Sequence, residues 1–313
     1  MSALISVLMP VFNVEKYVEE ALNSILSQTY TNLEVIVIDD GSVDKTADIV
    51  QGLALNDPRI RFLKNPSNLK IARSLNRGLS VASGSYIARM DGDDISMPDR
   101  IERFLKHLEN NPDLELVGCS VVSIDSEGNE LGRTKYPGSM AAIEKTLALQ
   151  SPVAHIWLAK RQLYDRLQGY RDMPGVEDYD FLLRAMSSNS KFENIQDYFG
   201  YKVRIARVGN SSAMFGLRQR KMHAYVLKLY QSRVMHGCDS FSPEKFQQAI
   251  SSSPFYEKIH RFATASLSRA IQARAQKNYA SMAIFAILAL ISPAQCAYLY
   301  ARTKLRIVTM MPR

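Results

Sequence analysis

The chain has 313 residues, of which 46% are hydrophobic and 22% are charged, a composition typical of folded globular proteins and unlike that of disordered or collagen-like chains. The net charge of +8 is unevenly distributed: residues 1–200 carry 21 Lys or Arg against 28 Asp or Glu, whereas residues 201–313 carry 18 against three. Three widely separated cysteines exclude a disulfide framework or a zinc ribbon and favour a reducing compartment.

The first half of the chain alternates between short apolar segments and amphipathic ones. Residues 5–9 and 33–38 are rich in β-forming side chains, and residues 14–28 between them are apolar at helical spacing. The same alternation continues with a helix at 45–55, a strand at 60–63, a helix at 73–82 and a strand at 86–90. The pattern predicts an α/β fold, Rossmann-like, with a mostly parallel sheet flanked by helices.

The pattern changes to helices alone from about residue 211. Apolar periodicity predicts helices at 219–236, 243–251 and 255–290. We therefore expect an α/β domain of residues 1–210 and a basic, helical C-terminal region of residues 211–313. The chain begins directly with an apolar segment and lacks the basic region and cleavage site of a signal peptide, so we expect a cytoplasmic protein.

Acidic side chains follow two of the predicted strands, at the edge where ligands bind to open parallel sheets. Asp39 and Asp40 can accept hydrogen bonds from a ribose or a base, although Asp, Gly and Ser are also typical of turns and helix caps. Asp91, Asp93 and Asp94 repel one another unless a cation lies among them. They favour a Mg²⁺ or Mn²⁺ diphosphate site over the alternative of a solvated acidic turn.

Two further positions leave a structural and a functional interpretation open. Glu177 and Asp178 precede an apolar helical pattern, so they are candidates for catalysis and equally for helix capping. His155 lies beside an apolar segment, where a histidine is a base or metal ligand less often than a structural residue.

Together these segments resemble the family 2 glycosyltransferases, inverting enzymes of the GT-A fold. The resemblance covers about residues 4–210 and depends on motifs in the family's order, at 6–13, 26–30, 39–46, 91–94, 97–100 and 177–178. Phe12 departs from the Tyr of many relatives, which removes a hydroxyl and keeps the ring. The Gln-x-x-Arg-Trp motif of processive synthases is absent, since the single Trp157 precedes the acidic pair at 177–178, and this favours transfer of a single sugar.

The resemblance implies a role for each matching residue. Asp178 matches the catalytic base, and Asp93 matches the direct metal contact, with Asp91 in the same motif and Asp94 close by. The residues matching nucleotide contacts, including the pair that holds the base, are Pro10, Val11, Asn13, Glu15, Asp39 and Asp40. Glu177 precedes the base, while His155 and Arg204 match positions near the acceptor and the diphosphate.

The basic C-terminal region needs its own explanation. No charged residue occurs between Lys277 and Arg302. This stretch is compatible with a spanning helix or a core helix, but we expect residues 257–313 to lie on a membrane surface, with Arg302, Lys304, Arg306 and Arg313 near anionic headgroups. The resemblance implies lipid-linked acceptors of lipopolysaccharide, O-antigen or capsule synthesis, and hence a peripheral position on the inner face of the cell membrane.

The predicted function is therefore inverting transfer of one sugar from a nucleotide sugar, UDP-linked by family habit, to a glycan or lipid-linked glycan. A sugar nucleotidyltransferase is the alternative enzyme, because it also combines an α/β nucleotide site with acidic metal ligands. A non-enzymatic module that binds anionic surfaces is the alternative outside enzymes. Nucleic acid is not an expected partner, because the C-terminal aromatic residues fit helical core spacing better than a base-stacking surface.

Overall fold

A computed structural model describes residues 2–205 and 216–310. The chain divides into two compact units, Met1–Leu147 with Ser151–Ala213 and Ala148–Gln150 with Met214–Arg313. We call them the sheet unit and the helical unit. The domain boundary predicted between residues 210 and 211 lies outside the described residues, as does Arg313.

The sheet unit begins with the predicted alternation of strands and helices, which is confirmed. Its first elements are β1 (Ile5–Val11), α1 (Val18–Leu26), β2 (Leu33–Asp39), α2 (Thr46–Asn56), β3 (Ile60–Lys64), α3 (Ile71–Val81) and β4 (Tyr86–Arg89). The helix predicted from residue 14 begins four residues later. The reason is that Val14 donates its backbone N–H to Thr46 Oγ1 over 2.8 Å, which holds this segment as a loop against the start of α2.

Strand β1 is buried on both faces, as expected for a central parallel strand. Its consecutive residues Val7 and Leu8 lie on opposite faces of the sheet and pack into two separate apolar clusters. Leu22 of α1 belongs to the cluster of Val7, and Leu75 of α3 belongs to the cluster of Leu8. The helices α1 and α3 therefore cover opposite faces of the sheet.

The sheet continues with shorter and longer strands of mixed direction. The remaining elements are β5 (Ile95–Ser96), α4 (Arg100–Asn110), β6 (Leu114–Ile124), β7 (Glu130–Thr134), α5 (Met140–Leu147), β8 (Leu158–Lys160), α6 (Arg161–Leu167), α7 (Glu177–Ser187) and β9 (Lys191–Arg204). The strand order is β3-β2-β1-β4-β8-β6-β9-β5, with β7 beside β6. Strands β3, β2, β1 and β4 are parallel, so their carboxyl ends share one edge of the sheet.

The helical unit contains α8 (Leu217–His236), α9 (Pro243–Ile250), α10 (Pro254–Ala275), α11 (Tyr279–Ala289) and α12 (Pro293–Met310). The prediction of one helix over 255–290 is wrong, because the helix breaks between α10 and α11. Lys277 adopts a left-handed backbone with φ of 58°. Asn278 then caps α11, since its side chain accepts the backbone N–H of Ser281 over 3.1 Å.

None of the described helices has by itself the length and apolar content needed to cross a bilayer. Within the described residues, one pair of helices reaches that length and composition together: α11 and α12 up to Leu305, which meet at a bend of 115°.

Candidate active site

The loops that follow β1 and β2 interlock through reciprocal hydrogen bonds. Asn13 accepts the backbone N–H of Val43 on its side chain over 2.9 Å and donates its own backbone N–H to Ser42 Oγ over 3.0 Å. Glu15 accepts the backbone N–H of Lys45 over 2.9 Å. Asn13 has a φ of 50°, a left-handed conformation that Asn tolerates better than most residues. The loop with the predicted nucleotide contacts Asn13 and Glu15 is thus held against the loop that follows β2.

Asp40 is occupied by protein donors. Its Oδ1 accepts from Asn65 Nδ2, Ser74 Oγ and the backbone N–H of Leu69, at 2.7, 2.9 and 2.8 Å. Its Oδ2 accepts the backbone N–H of Lys70 over 2.9 Å. Four donors fill the capacity of one carboxylate. Asp40, predicted to contact the base, therefore holds the segment between β3 and the start of α3.

Asp39 can accept a further hydrogen bond, whereas Asp40 cannot. It is fully buried at the end of β2, and its Oδ1 accepts the backbone N–H of Ser42 over 3.2 Å. Its Oδ2 has no hydrogen-bond partner in the described part of the chain. A buried acceptor without a donor costs about 1–3 kcal/mol, which a donor from a ligand would relieve. Of the two acids, Asp39 is the better candidate for contact with a base.

The acidic turn of residues 91–94 connects β4 to β5 and folds back over the end of β1. Asp91 donates its backbone N–H to the buried hydroxyl of Tyr201 over 3.0 Å. Gly92 leaves no room for a side chain, because an added Cβ would lie 2.5 Å from Val11 Cγ1. Pro10 and Val11, predicted nucleotide contacts, are buried at the end of β1. Val11 therefore packs against the acidic turn at Gly92.

Arg89 and His155 flank Asp91. Arg89 Nε lies 3.2 Å from Oδ1, and His155 Nε2, in the loop before β8, lies 3.0 Å from Oδ2, although its angle is outside that of a hydrogen bond. Burial alone would raise the pKa of Asp91, but the Arg89 guanidinium and the His155 imidazole hold the pKa below its usual range. Burial likewise opposes protonation of His155, but the Asp91 carboxylate outweighs it and raises the pKa of this imidazole. The structure thus places His155 in the site.

The ligand atoms of Asp91, Asp94 and His155 all lie within 4.8 Å of one another, close enough to share a metal ion. Burial and the charges of Asp93 and Asp91 raise the pKa of Asp94 well above its usual range, as expected where acids lack a sufficient counter-charge. Carboxylate oxygens suit Mg²⁺ and Mn²⁺, and an imidazole is compatible with Mn²⁺. These residues fit a divalent cation. Asp93, predicted as the direct contact, is not part of this group in the described residues.

Arg204, predicted near the acceptor and the diphosphate, contacts the acidic turn of residues 91–94. It is 2% exposed at the end of β9. Its backbone N–H donates to Asp94 Oδ1 over 2.8 Å, and its guanidinium binds the carbonyl of Asp93 over 2.9 Å and the carboxylate of Glu20 over 2.8 Å. The same guanidinium also binds the carbonyl of Asp125 over 2.9 Å. Arg204 therefore holds the acidic turn in place through Asp93 and Asp94.

The first turn of α7 carries Glu177 and Asp178. Glu177 is buried, and it pairs with Arg89 NH1 over 3.1 Å and accepts the backbone N–H of Gly175 over 2.8 Å. Asp178 is only partly buried. Burial raises the pKa of Tyr136 to about 12, and the charge of Asp178 contributes to this rise. Asp178 is thus the acid of this pair that remains accessible to a substrate.

Sequence reasoning missed two residues of this site. Arg89 contacts both acidic motifs, and the signal that would have found it is a charged residue at the end of an otherwise apolar strand. Tyr201 reaches Asp91 from β9, more than 100 positions along the chain, and no local pattern identifies it.

Comparison with known proteins agrees with this architecture. The model of glycosyl transferase family 2 matches residues 6–168. An uncharacterized glycosyltransferase of Methanocaldococcus jannaschii, MJ1057, is 32% identical over 76% of this chain and 82% of its own. The O-antigen biosynthesis glycosyltransferase WbnJ of Escherichia coli is 32% identical over 62% of this chain and 77% of its own.

The fold is similar to that of solved structures as well. The crystal structure of S. aureus TarS 1-349 in complex with UDP-GlcNAc superposes with a TM-score of 0.62 and 17% identity, over 97% of this chain and 88% of that one. The mixed sheet with acids at the carboxyl ends of its parallel strands is the GT-A arrangement predicted from the sequence. By sequence, the chain belongs to glycosyl transferase family 2.

Proposed function

We propose that this glycosyltransferase moves a single sugar from a nucleotide-diphosphate sugar, with UDP as the nucleotide, to a hydroxyl of a glycan acceptor, with inversion. The observation that carries the proposal is the meeting of three acidic segments at one sheet edge: Asp39 with free acceptor capacity, the group of Asp91, Asp94 and His155, and the accessible Asp178. In order, these segments could bind the nucleobase of the donor, bind its diphosphate and accept the proton of the acceptor hydroxyl.

In the proposed reaction Asp178 accepts the proton of the acceptor hydroxyl while its oxygen attacks the anomeric carbon. The bond from that carbon to the diphosphate breaks in the same step, and its electron pair leaves with the nucleoside diphosphate. A general base contributes about 10²–10⁴ in rate. One displacement from the opposite side inverts the anomeric centre.

The residues of the acidic turn hold the diphosphate end of the donor. Asp91 and Asp94, with His155, would hold Mg²⁺ or Mn²⁺, and the chemistry supplied by the bound ion is neutralisation of the departing diphosphate. Arg204 keeps the turn in place through the carbonyl of Asp93 and the carboxylate of Asp94. Asp39 accepts a hydrogen bond from the N–H of the base.

The names of similar proteins support the choice of donor and pathway. TarS has been crystallised with UDP-GlcNAc, which favours a UDP-sugar. WbnJ is named for O-antigen biosynthesis, which favours a lipid-linked acceptor of a surface polysaccharide. The absent processive motif favours a single transfer.

A screen of nucleotide sugars with Mn²⁺, with Mg²⁺ and with EDTA tests the proposal. We expect release of nucleoside diphosphate from one donor in the presence of a divalent ion, and a product of inverted anomeric configuration by NMR. Release of pyrophosphate would instead identify a sugar nucleotidyltransferase. Anion-dependent surface binding without turnover of any donor would favour a binding module.

We also propose that the helical unit binds the inner face of the cell membrane. The apolar side chains of α11 face outward, with Ile284 59% and Ile287 69% exposed and only Ala289 buried. Residues 258–313 contain nine Lys or Arg and no Asp or Glu. An exposed apolar helix among basic residues suits the interface of an anionic bilayer. A second copy of the same face would instead bring like charges together.

Flotation of the full chain with vesicles of phosphatidylcholine and phosphatidylglycerol tests this position. We expect Ile284→Ser with Ile287→Ser to weaken binding by at least about tenfold, because each of the two side chains contributes up to ~1.5–3 kcal/mol when fully buried and each ~1.4 kcal/mol is a factor of ten. Leu55→Ser is the matched control, since Leu55 of α2 is 85% exposed in the sheet unit. Equal flotation of all three proteins, or capture by an acidic protein but not by vesicles, would overturn the membrane proposal.

A further inference from the structure

Arg89 contacts both the acidic turn and the first turn of α7. It lies at the end of β4 and is 4% exposed. Its Nε lies 3.2 Å from Asp91 Oδ1, and its NH1 lies 3.1 Å from Glu177 Oε1. Two different nitrogen atoms of one guanidinium therefore hold two carboxylates that are 86 positions apart in the chain.

The geometry of a guanidinium makes such a link rigid. The group is planar, and its N–H bonds point in fixed directions, so the positions of two carboxylates bound to it are set relative to each other. Lys places the same charge on a single flexible ammonium and cannot reproduce the two directions.

Both carboxylates are anchored on their other sides as well. The second oxygen of Asp91 lies 3.0 Å from His155 Nε2. The second oxygen of Glu177 accepts the backbone N–H of Gly175 over 2.8 Å, which fixes the start of α7. His155, Asp91, Arg89 and Glu177 thus form one chain of close contacts from the metal-binding group to the residue next to Asp178.

We propose that Arg89 is a positioning residue that sets Asp178 relative to the group of Asp91, Asp94 and His155. The inference rests on the proposed function, in which Asp178 is the base and this group holds a divalent ion. Attack by the acceptor oxygen and departure of the diphosphate occur in one displacement, so the two ends of the site must keep a fixed spacing. Arg89 spans that spacing through Asp91 and Glu177.

A simpler explanation is that Arg89 only neutralises the buried Glu177. The two explanations separate in the double variant Arg89→Met with Glu177→Gln. Arg89→Met alone leaves a buried carboxylate unpaired and is expected to destabilise the fold. Adding Glu177→Gln removes that charge and should restore the melting temperature. Neutralisation alone predicts that kcat recovers with the melting temperature, whereas positioning predicts that it does not.

The experiment measures melting temperature, Mn²⁺ affinity by electron paramagnetic resonance, and kcat for the wild type, Arg89→Met, Arg89→Lys, Glu177→Gln and the double variant. We expect Arg89→Lys and the double variant to lose about 10–100-fold in kcat and roughly tenfold in Mn²⁺ affinity, as for other residues that orient metal ligands. Glu177→Gln keeps the contact of Arg89 with Asp91, so Mn²⁺ affinity should stay within about threefold while kcat falls.

Arg184→Met with Asp180→Asn is the matched control. This pair on α7 is also buried, with Arg184 Nε 2.7 Å from Asp180 Oδ2, and it is not among the residues proposed to bind the metal or to act as the base. We expect its loss to lower the melting temperature and to leave kcat and Mn²⁺ affinity unchanged. Wild-type kcat and Mn²⁺ affinity in the Arg89 double variant would overturn the role of Arg89 alone. Absence of transfer by the wild type would overturn the proposed function.

Discussion

The loop after β2 and the first turn of α7 each carry two adjacent acids, and in each region the two carboxylates meet different surroundings. Asp40 accepts four hydrogen bonds from protein donors, whereas Asp39 beside it keeps a buried oxygen without a donor in the described residues. Glu177 is buried against Arg89 and the backbone of Gly175, whereas Asp178 is partly exposed.

The comparison teaches that one acid of each pair builds the scaffold that places its neighbour. A carboxylate saturated by buried donors fixes a loop, because each of those donors would be costly to leave unpaired. A carboxylate with spare capacity can accept a proton or a hydrogen bond from a ligand. Substitutions within each pair should therefore separate into losses of stability and losses of activity.

The largest effect should follow from Asp178→Asn. Without the carboxylate no base takes the acceptor proton, so kcat should fall by about 10²–10⁴ while binding of the nucleotide sugar stays nearly unchanged. Single-turnover transfer and calorimetric titration with the donor measure the two quantities. Asp165→Asn, an exposed acid of α6, is the control. Turnover close to that of the wild type would show that another residue is the base.

The next largest effect should be on stability, from Asp40→Ala. The donors of Asn65 and Ser74 and two backbone N–H groups lose their acceptor, so the free energy of unfolding should fall by about 3 kcal/mol. Urea titration followed by circular dichroism measures it. A stable Asp40→Ala variant that no longer binds nucleotide would reverse the roles assigned to this pair.

A smaller effect should follow from Asp39→Asn in the same loop. The substitution keeps the shape of the side chain and can replace the free acceptor by an amide donor, so UDP should bind about tenfold more weakly, a difference of ~1.4 kcal/mol. Calorimetry with UDP measures the affinity, and circular dichroism should show an intact fold. If UDP affinity does not change, Asp39 does not bind the nucleobase.

The smallest effect should come from Gly92→Ala in the acidic turn that completes the site. The new methyl group would contact Val11 Cγ1 at 2.5 Å, so the turn must shift, at about 1 kcal/mol of unfolding free energy. The shifted turn should also bind Mn²⁺ more weakly. Adding Val11→Ala to Gly92→Ala makes room for the new methyl group and should restore the Mn²⁺ affinity. Equal Mn²⁺ affinity of Gly92→Ala and the wild type would mean that this contact does not position the turn.

Much of the architecture is predictable from local sequence. Apolar segments such as residues 5–9 and 33–38 become β1 and β2 because strands buried on both faces require continuous apolar side chains. Chain breaks are less predictable: the apolar pattern runs through Lys277, but the backbone there turns left-handed and ends α10. A periodic pattern reports which face is apolar and does not report where a helix stops.

By itself the sequence determined the fold class and the edge of the sheet where the candidate site lies, since both follow from the order of apolar and acidic segments. Only the tertiary structure decided which acid of each pair is engaged, that Arg204 supports the acidic turn and that His155 and Arg89 flank Asp91. The physical reason is distance along the chain. The donors that meet Asp40, Asp94 and Glu177 include residues 25, 110 and 88 positions away, and only folding brings them within hydrogen-bond reach.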